Sequence, residues 1–165
     1  MTLDRDLVEA EVGSSYHSFW VGDEEWSDER GPLEAGLFER APQGNGIFID
    51  TAVHTGLVPI TLYAVLEPPA DMSEEWQDVV RTSITLSADR IYVVPVGGLG
   101  DISELALVRA GTFGIQVAGR GREGVADESE LAESYVVHLW PIEHEETTAV
   151  LRLSSPRAQN HLRLD

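Results

Sequence analysis

The sequence predicts an all-β fold, a single-domain antiparallel β-sandwich with little helix. Three observations carry that reading. Short apolar runs alternate with the period of two that strand side chains follow. Turn signals containing Gly and Pro separate these runs at fairly regular spacing, as in sandwiches of two sheets. No alternation of strand and helix is long enough for βαβ units, and no internal repeat occurs.

The organising stretch runs from Gly111 to Pro141. In its first half Phe113, Ile115 and Val117 share one strand face, with Thr112, Gln116 and Ala118 on the other. In its second half Tyr135, Val137 and Leu139 alternate with Val136, His138 and Trp140, so both faces are bulky and the strand is central.

Taken in order, residues 1–11 read as a polar lead-in, residues 12–153 as the sandwich domain and residues 154–165 as a flexible tail. Val12 to Val21 reads as the first strand. Asp23 to Gly36 reads as loop with a turn or two of helix, Ser27 being an N-cap type with Asp28 and Glu29 after it. The turn signal Gln43-Gly44-Asn45-Gly46 precedes a strand at Ile47 to Val53. Ile60 to Leu66 is the most continuously apolar run and a candidate central strand, ended by Pro68-Pro69. Val79 to Leu86 and Arg90 to Val94 form a hairpin around Ala88-Asp89. Ser103 to Val108 is short enough for strand or helical turn, and Ala149 to Leu153 reads as a last edge strand. The core predicted from spacing is Leu62, Ala64, Ile84, Phe113, Ile115, Val117, Tyr135, Val137 and Leu139.

A chain of 165 residues fits one domain, and 42% hydrophobic content with four Trp argues against disorder. The absence of Cys excludes disulfides and thiolate metal sites. Met1 to Asp6 has no basic or apolar signal character and no run reaches the ~18 apolar residues of a membrane span, so a cytoplasmic location is expected. With 11 basic and 29 acidic residues the formal net charge is −18, which argues against bare nucleic acid as a partner. Every basic residue is Arg, a pattern read as codon bias in a GC-rich genome. Acidic runs of this kind are ordinarily solvated loops, and the alternative is a negative surface for a basic partner.

No catalytic constellation is legible. The five His (His17, His54, His138, His144 and His161) include no pair at metal-ligand spacing. His144 among Glu143, Glu145 and Glu146 is the nearest approach to a cation collector, and an exposed Glu run is the plainer reading. Asp23, Glu24, Glu25, Asp28 and Glu29 offer oxygen ligands of the type calcium takes, without the spacing of an EF-hand. Gly97-Gly98-Leu99-Gly100 lacks the Lys-Ser/Thr and the helix of a phosphate loop, and neither Ser14-Ser15 nor Ser154-Ser155 sits in a G-x-S-x-G context. No enzymatic activity, cofactor or metal is therefore expected. Trp20 and Trp140 read as core. Trp26 and Trp76, each among acidic residues, read as interface anchors. The expected partner-binding residues are Asp23, Glu24, Glu25, Trp26, Asp28 and Glu29, together with Glu74, Glu75, Trp76 and Asp78.

The order Ser15-Tyr16-His17-Ser18-Phe19-Trp20-Val21, Trp26-Ser27-Asp28-Glu29, Gly46-Ile47-Phe48-Ile49, Ile60 to Leu66, the Val79 to Val94 hairpin, Gly111-Thr112-Phe113 and Ser134 to Pro141 resembles the bacterial competence protein J family. The resemblance spans most of residues 14–141. The chain departs from it in extra acidic loops, in Gly97–Gly100 and in the tail beyond Pro141. The resemblance implies an inhibitor of a partner DNA-entry nuclease. The expectation is thus an acidic, non-catalytic binding protein, resembling an inhibitor or immunity protein of a basic partner such as a nuclease. The alternative is a sandwich module that binds calcium or a small ligand through its end loops.

Overall fold

The computed structural model describes residues 6–27, 29–97, 100–122 and 133–163. Two six-stranded sheets face each other across one core. The first sheet joins β1 (Asp6–Ser14), β6 (Gly56–Ala64), β11 (Ser134–Pro141), β10 (Gly111–Arg120), β7 (Asp78–Leu86) and β12 (Ala149–Leu153) in that spatial order. The second joins β3 (Leu33–Glu34), β4 (Phe38–Arg40), β5 (Gly46–Asp50), β2 (Ser18–Gly22), β8 (Arg90–Pro95) and β9 (Ser103–Ala106). The all-β expectation holds. Pairing is antiparallel except between β11 and β6, which run parallel with Tyr135 opposite Ile60 and Leu139 opposite Ala64.

The period-two reading of the core is confirmed residue by residue. Phe113, Ile115, Val117, Val137 and Leu139 interleave with Leu62 and Ile84 from their own sheet and with Phe19, Val21, Ile47, Ile49, Ile91 and Val93 from the other. Tyr135 also lies in this layer, and Ala64 packs at its edge. Each outer face carries a smaller cluster. Trp20, Phe48 and Val94 lie outside the second sheet, and Val79, Ala118 and Val136 lie outside the first. Trp20 and Trp140 are buried as expected, but neither belongs to the central layer. Trp140 lies across β10 because its partner is Gly114, where a Cβ would stand 2.3 Å from the indole.

Several local expectations need correction. Val79 to Leu86 and Arg90 to Val94 do not form a hairpin: β7 pairs with β10 and β12 in the first sheet, and β8 with β2 and β9 in the second. Val12 to Val21 is not one strand. The chain passes from the first sheet to the second through a two-residue turn at Tyr16 and His17, both with positive φ, closed by reciprocal backbone hydrogen bonds between Ser15 and Ser18. Asp6 to Glu11, expected in the lead-in, belongs to β1 and pairs along β6. The expected tail contains an eight-residue helix, α1 (Pro156–Arg163), capped by Ser155, whose Oγ accepts from the Ala158 N–H at 3.0 Å. Between Asp23 and Gly36 the described residues form no helix. The Glu29 N–H only touches Ser27 Oγ at 3.4 Å, and the short strand β3 begins at Leu33.

Registers define two ends of the sandwich. At one end lie Gly22, Gly46, Ala64, Leu86, Gly111 and Pro141, and at the other Ser14, Asp50, Gly56, Asp78, Arg120 and Ser134.

Candidate partner-binding surface

The Asp23–Arg30 segment leaves β2 at the first of these ends. Asp23 fixes its departure: Oδ1 accepts from the Glu24 N–H at 2.8 Å, while Oδ2 accepts from the Ser87 N–H and hydroxyl at 3.1 and 2.7 Å. This carboxylate is 5% exposed and ties the end of β2 to the turn after β7. Asp23 is therefore a staple between the sheets and leaves the expected partner-facing set. Its carbonyl receives the Trp20 indole N–H at 2.9 Å. Asn45 holds the next stretch by donating to the Glu25 carbonyl at 2.9 Å.

With its start pinned, the segment folds over the outer face of the second sheet. Trp26 meets Phe48 edge-on at 6.3 Å, Trp20 meets the same ring at 4.9 Å, and the Arg30 guanidinium stands 4.0 Å over it. Trp26 is half-buried, so part of the ring remains accessible, and Glu24, Glu25 and Glu29 are exposed around it. Asp28 lies outside the described residues.

The Trp76 segment sits elsewhere. Trp76 packs on Val79, Ala118 and Val136, outside the first sheet, with the Arg120 guanidinium 4.6 Å from its ring. Arg120 also pairs with Glu75 at 3.0 Å, and Arg152 gathers the carbonyls of Met72, Ser73 and Trp76. Glu74 and Glu75 are exposed, but Asp78 is completely buried. The ten expected residues consequently do not form one surface. Trp26 and Trp76 lie outside opposite sheets and near opposite ends, and Asp78 is internal for the reason that follows.

Asp78 belongs to a buried ionic network that sequence reasoning missed. Arg122, with no exposed surface, pairs with Asp78 and with Asp50 Oδ2 at 3.0 Å, and donates to the carbonyls of Gly36 and Asp50 at 2.8 and 2.9 Å. Its Nε donates to the Tyr135 hydroxyl at 3.1 Å. Asp78 also accepts from the Ser154 and Ser155 N–H groups and the Ser155 hydroxyl, while Arg157 of α1 pairs with Asp50 at 2.6 Å. Glu133 accepts from the Tyr135 hydroxyl at 2.6 Å and from the N–H groups of Ala52 and Val53. Burial works against the charge on Arg122, but the flanking Asp78 and Asp50 carboxylates favour the charged form, and its pKa is raised. Burial likewise pushes the Tyr135 phenol well up, so it stays neutral and donates. The network joins both sheets and α1. Its guanidinium and Asp78 carboxylate are closed to solvent, which suits a structural lock and leaves no room for a substrate.

The histidines are dispersed. His17 Nδ1 lies 2.9 Å from the Thr51 carbonyl and its ring meets His54 at 4.8 Å, His138 stacks on Tyr63 at 5.0 Å, and His144 is exposed. The side chain of His161 lies outside the described residues. Among the described residues no three His, Asp or Glu side chains converge as metal ligands. In the glycine loop Gly97 and Gly100 have positive φ, and Gly98 and Leu99 lie outside the described residues.

No family model and no curated protein matches the chain. Solved structures with the same fold include ComJ from Bacillus subtilis, described as the inhibitor of the DNA degrading activity of NucA, and a protein described as crocagin biosynthetic gene J. The first aligns with a TM-score of 0.62 at 13% identity and the second with 0.59 at 12%. Each likeness covers 86% of this chain and 100% of the other. In fold, the chain is similar to a nuclease inhibitor over that protein's whole length.

Proposed function

We propose that this chain is a non-catalytic binding protein that inhibits a basic protein partner, a nuclease being the partner class that fits best. The supporting observation is the likeness of fold to ComJ over all of that chain, described as an inhibitor of a DNA-degrading activity. The formal net charge of −18 agrees with the reading. A nuclease needs a positive cleft to hold phosphates, and an acidic partner competes for the same field.

In this reading Glu24, Glu25 and Glu29 steer the partner, and the accessible part of Trp26 supplies apolar contact. Charges on an interface rim act mainly on the association rate, whereas a large aromatic acts on dissociation. The test is binding kinetics against a basic nuclease at two salt concentrations. The paired substitutions Glu24→Lys and Glu25→Lys slow association at low salt and flatten its salt dependence, and Trp26→Ala speeds dissociation. Unchanged rates in both variants would move the interface to Glu74, Glu75 and Trp76. No complex at either salt concentration would remove the reading.

A further inference from the structure

At the end of the sandwich that carries the Asp23 staple, the sheets part into a cleft of about 230 Å³. The side chains that line it are all apolar, with core residues Phe113 and Leu139 beneath and Ala64 and Pro141 at the sides. Leu66 and Val108 form the lips and are 68% and 78% exposed. Both lips are anchored: the Val65 N–H donates to the Leu139 carbonyl at 2.8 Å, and the Leu107 N–H to the Asp89 carbonyl at 2.8 Å. An apolar opening held by backbone hydrogen bonds is already shaped for its occupant.

Size and charge select that occupant. Sites for whole small molecules run from about 300 to 1,000 Å³, so this cleft suits a single large side chain. Glu67 follows Leu66, and Glu143 lies just beyond Pro141. Both are exposed and form no ion pair among the described residues. The neighbouring cation, Arg109, is turned onto the protein: it donates to the Ala110 and Ile142 carbonyls at 2.9 and 3.0 Å and stands 5.2 Å over the Phe113 ring. We propose that the cleft receives one aromatic or long aliphatic side chain from a segment of a protein partner whose flanking Arg or Lys residues meet Glu67 and Glu143. The proposal rests on the binding-protein reading and adds to it an anchor site that the sequence did not single out.

Methyl NMR of the full chain tests it without a nuclease, using capped Arg-Trp-Arg as probe and Arg-Ala-Arg and Glu-Trp-Glu as controls. The expected result is saturable shifts at Ala64, Leu66, Val108 and Leu139 with Arg-Trp-Arg, and at least tenfold weaker effects with either control. Val108→Asp abolishes the shifts while leaving thermal unfolding unchanged, because the side chain it replaces is exposed. In nuclease binding the same variant weakens affinity about thirtyfold, the range of a central anchor. Absent shifts, equal shifts with Glu-Trp-Glu, or shifts that follow protein concentration alone would overturn the proposal. The last two outcomes would assign the cleft to any apolar ligand or to a second copy of this chain. If the nuclease binds wild type and Val108→Asp equally, the anchor fails and the inhibitor reading stands. If Arg-Trp-Arg binds as expected and no basic nuclease does, the inhibitor reading fails alone.

Discussion

Replacing Arg122 by methionine removes the cation around which one end of the sandwich closes. Methionine matches the arginine stem but has nothing in place of the guanidinium head, so the substitution removes the charge and five donated hydrogen bonds to the acceptors named above. Asp50 retains Arg157, but Asp78, without exposed surface, is left among the described residues with the Ser154 and Ser155 donors. Stranding a buried charge of this kind costs about 3–5 kcal/mol. For a chain of this size that lowers the midpoint of thermal unfolding by roughly 6–20 °C. Calorimetry or denaturant melts at neutral pH measure the loss. Adding Asp78→Asn restores part of it, because the stranded carboxylate is then neutral, and the double-mutant cycle gives a coupling above about 1 kcal/mol. Partner binding below the unfolding range stays near wild type, since the network lies at the end away from Trp26. A loss under about 1 kcal/mol, or additive single substitutions, would refute a closed network.

Three further outcomes follow from named contacts. Leu139→Ala empties part of the central layer, where Leu139 is 1% exposed, and costs about 2–5 kcal/mol in denaturant melts. Tyr16→Asn stabilises by about 0.5–1 kcal/mol in the same assay, because Tyr16 holds φ at 51° and Asn accepts the left-handed region more readily. Glu39 has its pKa raised first by burial, with Arg30 acting against this and Asp50 adding to it. A raised acid pKa means the folded state binds the proton more tightly than the unfolded one. Charged Glu39 therefore costs stability above its folded pKa, and the cost disappears below its unfolded value. Glu39→Gln raises the unfolding midpoint at neutral pH and leaves it unchanged in acid.

Much of the scaffold was legible because period-two alternation is a direct image of strand geometry. Phe113, Ile115, Val117, Val137 and Leu139 all fell on the inward face they were assigned. The passage between sheets was hidden because its turn uses Tyr16 and His17 with positive φ, where Gly, Asn or Asp would have announced it. Helix α1 did carry a signal, Ser155-Pro156 being an N-cap followed by proline at the first helical position. Its short length concealed it. The candidate surface was less legible than the core. Asp23 and Asp78 look in sequence like any member of an acidic run, and only the placement of Ser87 and Arg122 turns them inward. Arg122 itself gave no pattern, because its partners are separated from it by up to 86 positions in the chain. The cleft beneath Leu66 and Val108 is made by three strand ends and a loop meeting in space, which periodicity does not record.

The proposed inhibition is tested by titrating the protein into a basic nuclease that is digesting DNA, with the complex followed in parallel by light scattering. Cleavage is expected to fall as a defined complex forms, and the inhibition to weaken as salt screens the association. Full cleavage at saturating protein, with no complex at low salt, would contradict it.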